Sequence, residues 1–589
     1  MPRSCAFLIW LALGLSWCVG ILGRGYWTPD EPREADIAWR MSWQPAKSVP
    51  LLAGEPFCEK PPLTYWVAGA TIGLFGNDAW AARLPNVLYA LVTALAVGLI
   101  GRRSAGSLAG LAAAAAISTF LLSYQVAIWL ATDAPLLAAV AVALWGLYTG
   151  FYASSSGERL RGYSCMHAAL AAGFLAKSAA AWMVPALTFI TLLAWERRWR
   201  ELWRWELYVG LVLQALLILS WVWVVYAGPD GPAHLKVFFW NNLVGRFAHV
   251  DAPQELQYAA AHRNTPGKYF IELPAYLFPW TLLVLAAVRR AFRRRRDPLD
   301  RRRPVRFAAA VFVPALCVLS VAATARNIYL APALPGAALL LGWWARDLET
   351  AHDRWDLAAI RGTSLLMLLS VAVFAAAILV VGRDSWDALH ARAAYATLAL
   401  VGLSIAAAGS VLCWRAAGRG QWMRALFALL LAYCALLAGP ASQIYRSADT
   451  WQDLASIGRA VGLEAGDRPM ILFAPDETTR AFVDLYARTA VNLIPGPITP
   501  MSAGRLRADL ADAPRSVVLT QLPGRGESRT VRELKNRLGI NPRSTTPRPD
   551  PDPTPDWAFD ARLRIAHLYA LPNGRRYALL ESDGAAASR

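Results

Sequence analysis

The sequence predicts a polytopic all-α membrane bundle followed by a small α/β domain, and three observations carry that expectation. Of the 589 residues 56% are hydrophobic and only 17% are charged, with a mean hydropathy of +0.34. A soluble domain carries about 25% charged residues, so much of this chain is dissolved in something other than water. The apolar residues gather in runs of about 18–22, long enough at 1.5 Å per residue to cross a ~30 Å hydrocarbon core. These runs stop near residue 440, where short strand-like and helix-like patterns take over.

The runs give about thirteen spans, at 5–23, 82–100, 105–122, 132–152, 164–176, 179–195, 208–227, 270–288, 307–323, 328–345, 362–382, 394–413 and 424–440. Arg3 before the first run would suit a secretory signal, but the run is long and no A-x-A-like cleavage site follows, so it reads as a span. Charge orients the bundle. With the N-terminus inside, one side collects Arg102, Arg103, Arg159, Arg161, the cluster Arg197–Arg204, the tract Arg289–Arg306, and Arg346, Arg354, Arg361, Arg415, Arg419 and Arg424. That excess marks the cytoplasmic side. The net charge of +18 is therefore mainly a topology signal, with basic loops held against anionic lipid. No nucleic-acid-binding motif accompanies it, and a nucleic-acid partner is not expected.

Thirteen crossings divide the chain into a membrane domain, residues 1–440 with a long first periplasmic loop at 24–81, and a periplasmic α/β domain, residues 441–589. In the tail, Met470–Phe473, Ser516–Leu519, Arg564–Leu571 and Tyr577–Glu581 read as strands, and Glu477–Arg488 and Val531–Leu538 as helices. Pro547–Pro555 reads as a loop or linker. The tail has no cysteine. Of the chain's 7 cysteines only Cys58 sits in a loop, and none has zinc-site spacing.

The first loop is the most informative stretch. Asp30 is placed to cap a helix with Pro32 in its first turn, where a missing N–H costs little. Arg33 and Glu34 then share a face with Asp30, and Ile37, Ala38 and Met41 continue a stripe at helical spacing. That pattern suggests a helix lying along the membrane surface. Further on, Glu59-Lys60-Pro61-Pro62 sets opposite charges beside two rigid residues, just before an apolar helix. A cap, a surface ion pair and a helix stop would account for these features without any chemistry.

Topology weighs against that plain reading. Span parity puts Asp133, Lys177, Arg246, His262, Arg263 and Arg326 on the same side as the first loop. Ionisable groups at membrane depth are costly and generally face a cavity or a partner. Carboxylates suited to an acceptor and cations suited to an anion thus collect at one face of one bundle.

The combination resembles a known superfamily. Asp30-Glu31-x-Arg33, then Gly54-x-x-Phe57-x-Glu59-Lys60-Pro61-Pro62-Leu63-x-Tyr65-Trp66, with Asp133 opening the fourth span, looks like the lipid A aminoarabinose transferases and protein O-mannosyltransferases of the GT-C fold. Asn242-x-x-x-Arg246-Phe247, His262, Pro279-Trp280 and the turn Arg326-x-x-Tyr329-x-x-Pro332 are similar to the aminoarabinose-transferase branch. The resemblance covers roughly residues 1–345; beyond that it rests on span number and a C-terminal domain.

It implies a bacterial inner-membrane glycosyltransferase with a periplasm-facing site for a polyprenyl-phosphate sugar, and lipid A or another envelope glycolipid as acceptor, with transfer to a periplasmic protein as the alternative. It further implies that Asp30 and Asp133 are the essential acidic residues, and that Arg33 and Lys60 contact the carrier phosphate. Glu59 and His262 match positions that bind a divalent metal, such as zinc, magnesium or manganese, in some relatives. Two positions depart from the pattern. Phe57 stands where relatives often carry Tyr, which removes a hydroxyl from the phosphate site, and Pro32 replaces a common Gly.

The chemistry can be argued separately. Breaking the C1–O bond of a polyprenyl-phosphate sugar leaves a phosphate whose negative charge rises in the transition state. Arg33, Lys60, Arg246 and Arg326 are the cations available to stabilise it. A hydroxyl acceptor would call for Asp30 or Asp133 as general base, whereas an ionised lipid phosphate would need none. No Gly-rich nucleotide motif occurs in a strand–helix context, as suits a lipid-linked donor. The competing class is a lipid or solute transporter, but the sequence has no internal repeat and its charged motifs lie at one membrane surface.

Overall fold

The structure, a computed structural model, describes residues 3–44, 47–246, 250, 265–322, 326–384, 393–487, 489–522, 558, 562–571 and 573–582. The chain forms two compact units. One comprises Met1–Leu22, Met41–Pro50 and Pro56–Ser447; the other comprises Gly23–Arg40, Leu51–Glu55 and Ala448–Arg589. The sequence boundary at 440 falls close to the structural one, while the first loop, expected to belong wholly to the membrane domain, is shared between the units.

The first unit is a helical bundle. Its elements are α1 (Arg3–Gly20), the end of α2 (Glu31–Trp43), α3 (Leu63–Phe75), α4 (Ala79–Ala105), α5 (Ser107–Thr119), α6 (Leu121–Ile128), α7 (Asp133–Phe151), α8 (Ser156–Lys177), α9 (Ala180–Glu196) and α10 (Trp205–Tyr226). There follow α11 (Gly231–Leu235), α12 (Lys268–Tyr276), α13 (Thr281–Arg293), α14 (Leu299–Val321), α15 (Leu334–Asp347), α16 (Arg354–Asp384), α17 (Ala393–Gly418), α18 (Trp422–Leu436) and the start of α19 (Ser442–Asp449). Among the described residues 8 helices are long and apolar enough to cross a membrane, or 10 if two bent pairs each count as one span. The chain is a multi-pass membrane protein.

The bent pairs are α5–α6, at 65°, and α12–α13, at 112°. A broken helix inside a membrane leaves backbone groups that water cannot reach, and these must find protein partners. Here the two breaks serve each other: the amide of Leu121 donates to the carbonyl of Phe278 at 3.0 Å, and the Trp280 indole to Thr119 at 2.9 Å.

Small residues set the closest packing. A Cβ placed on Gly162 of α8 would overlap the backbone of Gly150 on α7, and one on Gly146 would overlap the backbone of Met166. The two helices therefore touch backbone to backbone, as small residues permit in membranes. This seam fixes the register of the α7–α8 hairpin, and with it the place of Asp133 at the start of α7 and Lys177 at the end of α8.

The second unit is a three-layer α/β domain. Its main sheet has, among the described residues, five strands, β3 (Met470–Phe473), β4 (Val491–Ile494), β5 (Val517–Leu522), β6 (Leu563–Ala570) and β7 (Arg576–Ser582), in the order β4-β3-β5-β7-β6. β3 pairs in parallel with β4 and β5, and β7 runs antiparallel to β5 and β6. Alternate residues of β3 face opposite cores. Met470 and Leu472 pack with Leu454, Val461 and Phe482 of α20 (Leu454–Ala465) and α21 (Glu477–Tyr486), whereas Ile471 and Phe473 pack with Leu506 of α22 (Pro500–Asp512). Burial on both faces explains why β3 reads as a continuous apolar run. The four expected strands and the helix at 477 are present; β4, α20 and α22 are additional. The expected helix Val531–Leu538 and the stretch Pro547–Pro555 lie outside the described residues.

Part of the first loop folds with this domain. Residues 31–40 of α2 and the short hairpin β1 (Leu51–Leu52) to β2 (Glu55–Pro56) meet α21. The hairpin turns on Ala53 and Gly54, both with positive φ, as a tight two-residue β-turn of this hand requires. The segment is tied down by polar bonds: Gly25 and Trp27 donate to Asp449, Thr28 to Gln452, and Thr478 to the carbonyl of Pro29.

Candidate active site

Within the second unit, α2 begins at Glu31 with Pro32 in its first turn, as the sequence reading expects. Its first-turn carboxylates suit the positive end of the helix dipole. Arg33 is the centre of an acidic cluster. Its guanidinium lies 3.3 Å from Asp30, 2.8 Å from Glu34 and 2.5 Å from Glu477. Glu34 and Glu477 were not anticipated as site residues, and Glu477 is separated from Arg33 by more than 400 residues of chain, beyond any local pattern. Glu31 plays a different part. It is wholly buried and grips the buried Arg24 at 2.6 Å, accepts from the amide of Trp27 at 2.9 Å, and Arg24 lies over the Trp27 ring. That is an anchor holding the chain ahead of α2 rather than a group open to a substrate.

One turn further on, Asp36 is fully buried, and one of its oxygens accepts from the amide of Ala53 at 2.7 Å. Burial, reinforced by the neighbouring Asp484 carboxylate, raises its pKa well above the ordinary value; the Ala53 amide and Arg40 only partly oppose this. Arg40 in turn forms a two-bonded pair with Asp484, at 2.7 and 2.5 Å. No local sequence pattern singles out Asp36, Arg40 and Asp484, since Arg40 and Asp484 lie 444 positions apart.

Within the first unit, Asp133 and Lys177 meet across the α7–α8 hairpin, Nζ to carboxylate 2.6 Å, with both side chains largely buried. The ammonium also lies 5.0 Å from the centre of the Tyr329 ring, a cation–π contact. Tyr329 belongs to a 3₁₀ turn, Asn327–Ala333, that leads into α15. Arg326 opens that turn, and its carbonyl accepts from the Tyr269 hydroxyl at 2.7 Å. Three of the sequence-predicted residues are thus brought into contact, with a fourth three positions from Tyr329. Nearby, Asn86 of α4 donates to the carbonyl of Trp129, just ahead of Asp133.

The loop 57–62 is the other ingredient of this unit. Phe57 is buried, its amide donating to the carbonyl of Pro50. The thiol of Cys58 is pushed up to about 11 by burial, so it stays a neutral packing group. Glu59 and Lys60 are half-buried and precede Pro61, Pro62 and α3. Asn242 donates to the carbonyl of Cys58 at 2.8 Å, which brings the turn ending at Arg246 to this loop. Lys60 lines a narrow cleft there together with His234. The indoles of Trp66 and Trp221 donate to the carbonyls of Lys47 and Ser48 and fix the strand of chain beside it.

The family resemblance implies Glu59 and His262 as positions that hold a divalent metal in some relatives. His262 lies outside the described residues, and among those described no three His, Cys, Asp or Glu side chains gather as a metal would need. Glu59 alone is not a ligand set, so no chemical step is derived through a metal.

The chain as a whole is similar to known proteins. Residues 59–223 match the family described as dolichyl-phosphate-mannose-protein mannosyltransferase. Over 442 residues the chain is 29% identical to an undecaprenyl phosphate-alpha-4-amino-4-deoxy-L-arabinose arabinosyl transferase of Pseudomonas paraeruginosa, covering 74% of this chain and 75% of that one. A similarly named transferase of Serratia proteamaculans is 26% identical over 355 residues, 60% of this chain and 61% of that one. Among solved structures, ArnT from Cupriavidus metallidurans superposes in its apo state with a TM-score of 0.70 at 17% identity, over 97% of both chains. Its complex with undecaprenyl phosphate gives 0.72 at 16% identity, over 98% of both. The fold is therefore that of the GT-C glycosyltransferases. Within it, the chain is similar to the aminoarabinose transferases over most of its length and, over residues 59–223, to the protein mannosyltransferase family.

Proposed function

We propose that this protein moves a sugar from an undecaprenyl-phosphate carrier to lipid A or a related envelope glycolipid, with inversion, at the periplasmic face of the bacterial inner membrane. The observation that carries the reading is the 442-residue likeness to transferases named for an undecaprenyl-phosphate aminoarabinose donor. In the reaction the C1–O bond breaks, its electron pair leaves on the phosphate oxygen, and an acceptor oxygen bonds to C1 from the opposite face. Lys60, with Arg246 and Arg326, is assigned to the leaving phosphate, where cations act most strongly as charge develops. Asp30 takes the proton of a hydroxyl acceptor, or orients an acceptor phosphate that is already ionised. Asp133 holds the ammonium of Lys177 in place through their 2.6 Å bond.

Transfer to a periplasmic protein is the second reading, favoured by the match of residues 59–223 to a protein mannosyltransferase family. Mass spectrometry of lipid A from a strain lacking this protein separates the two. The proposal expects loss of the species heavier by one sugar, restored by the wild type and not by Asp30→Asn. Unaltered lipid A, with a glycan missing from an envelope protein, would move the reading to a protein acceptor.

A further inference from the structure

At the end of the bundle carrying the arginine-rich loops, a cavity of about 740 Å³ opens between α1, α4, α5 and α18. Its size lies within the usual 300–1,000 Å³ range of ligand sites. It is lined mainly by apolar side chains, Trp10, Leu99, Leu111 and Phe427 among them, with Arg102 and Arg424 also lining it. Both arginines are exposed, and among the described residues Arg424 bonds a neutral partner, Gln421, at 3.1 Å. Among the described residues Glu349 is the one carboxylate in the lining, and Arg346 engages it at 3.4 Å. The cavity therefore has a surplus of positive charge at one end and hydrocarbon along the rest.

Its depth follows from α4. The lining runs from Arg102 to Ala94, eight residues or about 12 Å of helix. That is close to the thickness of one hydrocarbon leaflet, about half of ~30 Å. The floor is made of small residues. A Cβ on Gly98 would stand 3.2 Å from the Ala114 side chain and 3.3 Å from the Gly110 carbonyl, so α4 and α5 touch and leave a trough over their seam.

The site is also remote from the chemistry. Arg103, beside Arg102, pairs with Glu158 in the first turn of α8, while Lys177 is at the far end of that 22-residue helix. At 1.5 Å per residue the two ends are about 30 Å apart, a membrane thickness. Neither the sugar donor nor its acceptor can serve as the occupant while bound at Asp133 and Lys177.

We propose that this cavity is a binding site for an anionic glycerophospholipid of the cytoplasmic leaflet. The phosphate sits between Arg102 and Arg424 and an acyl chain lies in the trough. Basic pockets between membrane helices recognise acidic head groups in this manner, and the apolar walls select a lipid over a free phosphate ion.

The test uses the full chain purified in detergent and native mass spectrometry with equal amounts of dioleoyl phosphatidylglycerol and dioleoyl phosphatidylcholine. The wild type is expected to retain one phosphatidylglycerol at least 10-fold in preference to phosphatidylcholine. Arg102→Gln with Arg424→Gln should lower that preference at least 10-fold with glycosyl transfer unchanged. Leu99→Trp, which fills the trough and keeps both arginines, should reduce retention of phosphatidylglycerol by a similar factor. Equal retention of the two lipids by the wild type, or undiminished preference in the double variant, would overturn the proposal. So would undiminished retention in Leu99→Trp.

Discussion

Replacing Asp133 by Asn tests the ion pair at the mouth of the α7–α8 hairpin. The carboxylate accepts from the Lys177 ammonium at 2.6 Å, with 7% and 15% of the two side chains exposed. A hydrogen bond between charged partners contributes about 1.5–3 kcal/mol. Asp133 also stands in the first turn of α7, where a negative charge adds about 0.3–1 kcal/mol. Asparagine keeps the shape and loses the charge, so the variant should be less stable by about 2–4 kcal/mol. The assay is unfolding in mixed micelles followed by tryptophan fluorescence, run as a double-mutant cycle with Lys177→Met. In the methionine background only the helix-end contribution remains, so Asp133→Asn should there cost about 0.3–1 kcal/mol. An equal cost in both backgrounds would show that the pair is not coupled, and the geometry assigned to this end of the site would fail.

Three further outcomes follow from the same structure. The pKa of Asp36 is raised in the fold by burial beside Asp484, so its contribution is full below the unfolded value of about 3.9 and is lost as pH rises through the folded value. Asp36→Asn retains an acceptor for the Ala53 amide and offers an N–H to Asp484; it should raise the unfolding temperature at pH 8 and change it little near pH 4, and a lower value at pH 8 would refute this. Glu31→Ala strands the buried Arg24, at a cost of about 3–5 kcal/mol; the expected result is loss of folded protein, and a wild-type yield with impaired turnover would return Glu31 to the substrate site. With the native cysteines replaced, Ala511→Cys should react with a membrane-impermeant thiol reagent in spheroplasts and Ser154→Cys should not; the reverse pattern would invert the topology.

Hydrophobic run length was the most legible feature of the sequence. The expected span at 132–152 is α7 and that at 208–227 is α10, because a helix of that length with no polar face has only lipid or protein to meet. The runs at 105–122 and 270–288 each contain a break that composition does not reveal, since it depends on Leu121 and Phe278 finding each other across 157 positions of chain. Lys177 and Asp133 were legible as costly charges near membrane depth, and their pairing follows from the hairpin. Arg33 was read as a cation for phosphate, yet its neighbours Glu34 and Glu477 form a cluster visible only once α21 is folded against α2. The same separation hid Asp484 from Asp36. Strand β4, Val491–Ile494, escaped notice because it is four residues long and half-exposed, too short to show an alternation.

The claim at the centre of this account is sugar transfer from a lipid-linked donor. It is tested most directly with the purified protein in detergent, where no gradient exists, supplied with undecaprenyl-phosphate aminoarabinose and lipid A and followed by mass spectrometry. The account predicts that undecaprenyl phosphate and lipid A heavier by one sugar appear together in equal amounts, and that both vanish with Asp30→Asn. A donor that stays intact at every protein concentration, while the same protein in sealed vesicles moves that lipid between leaflets, would contradict it and make the protein a transporter.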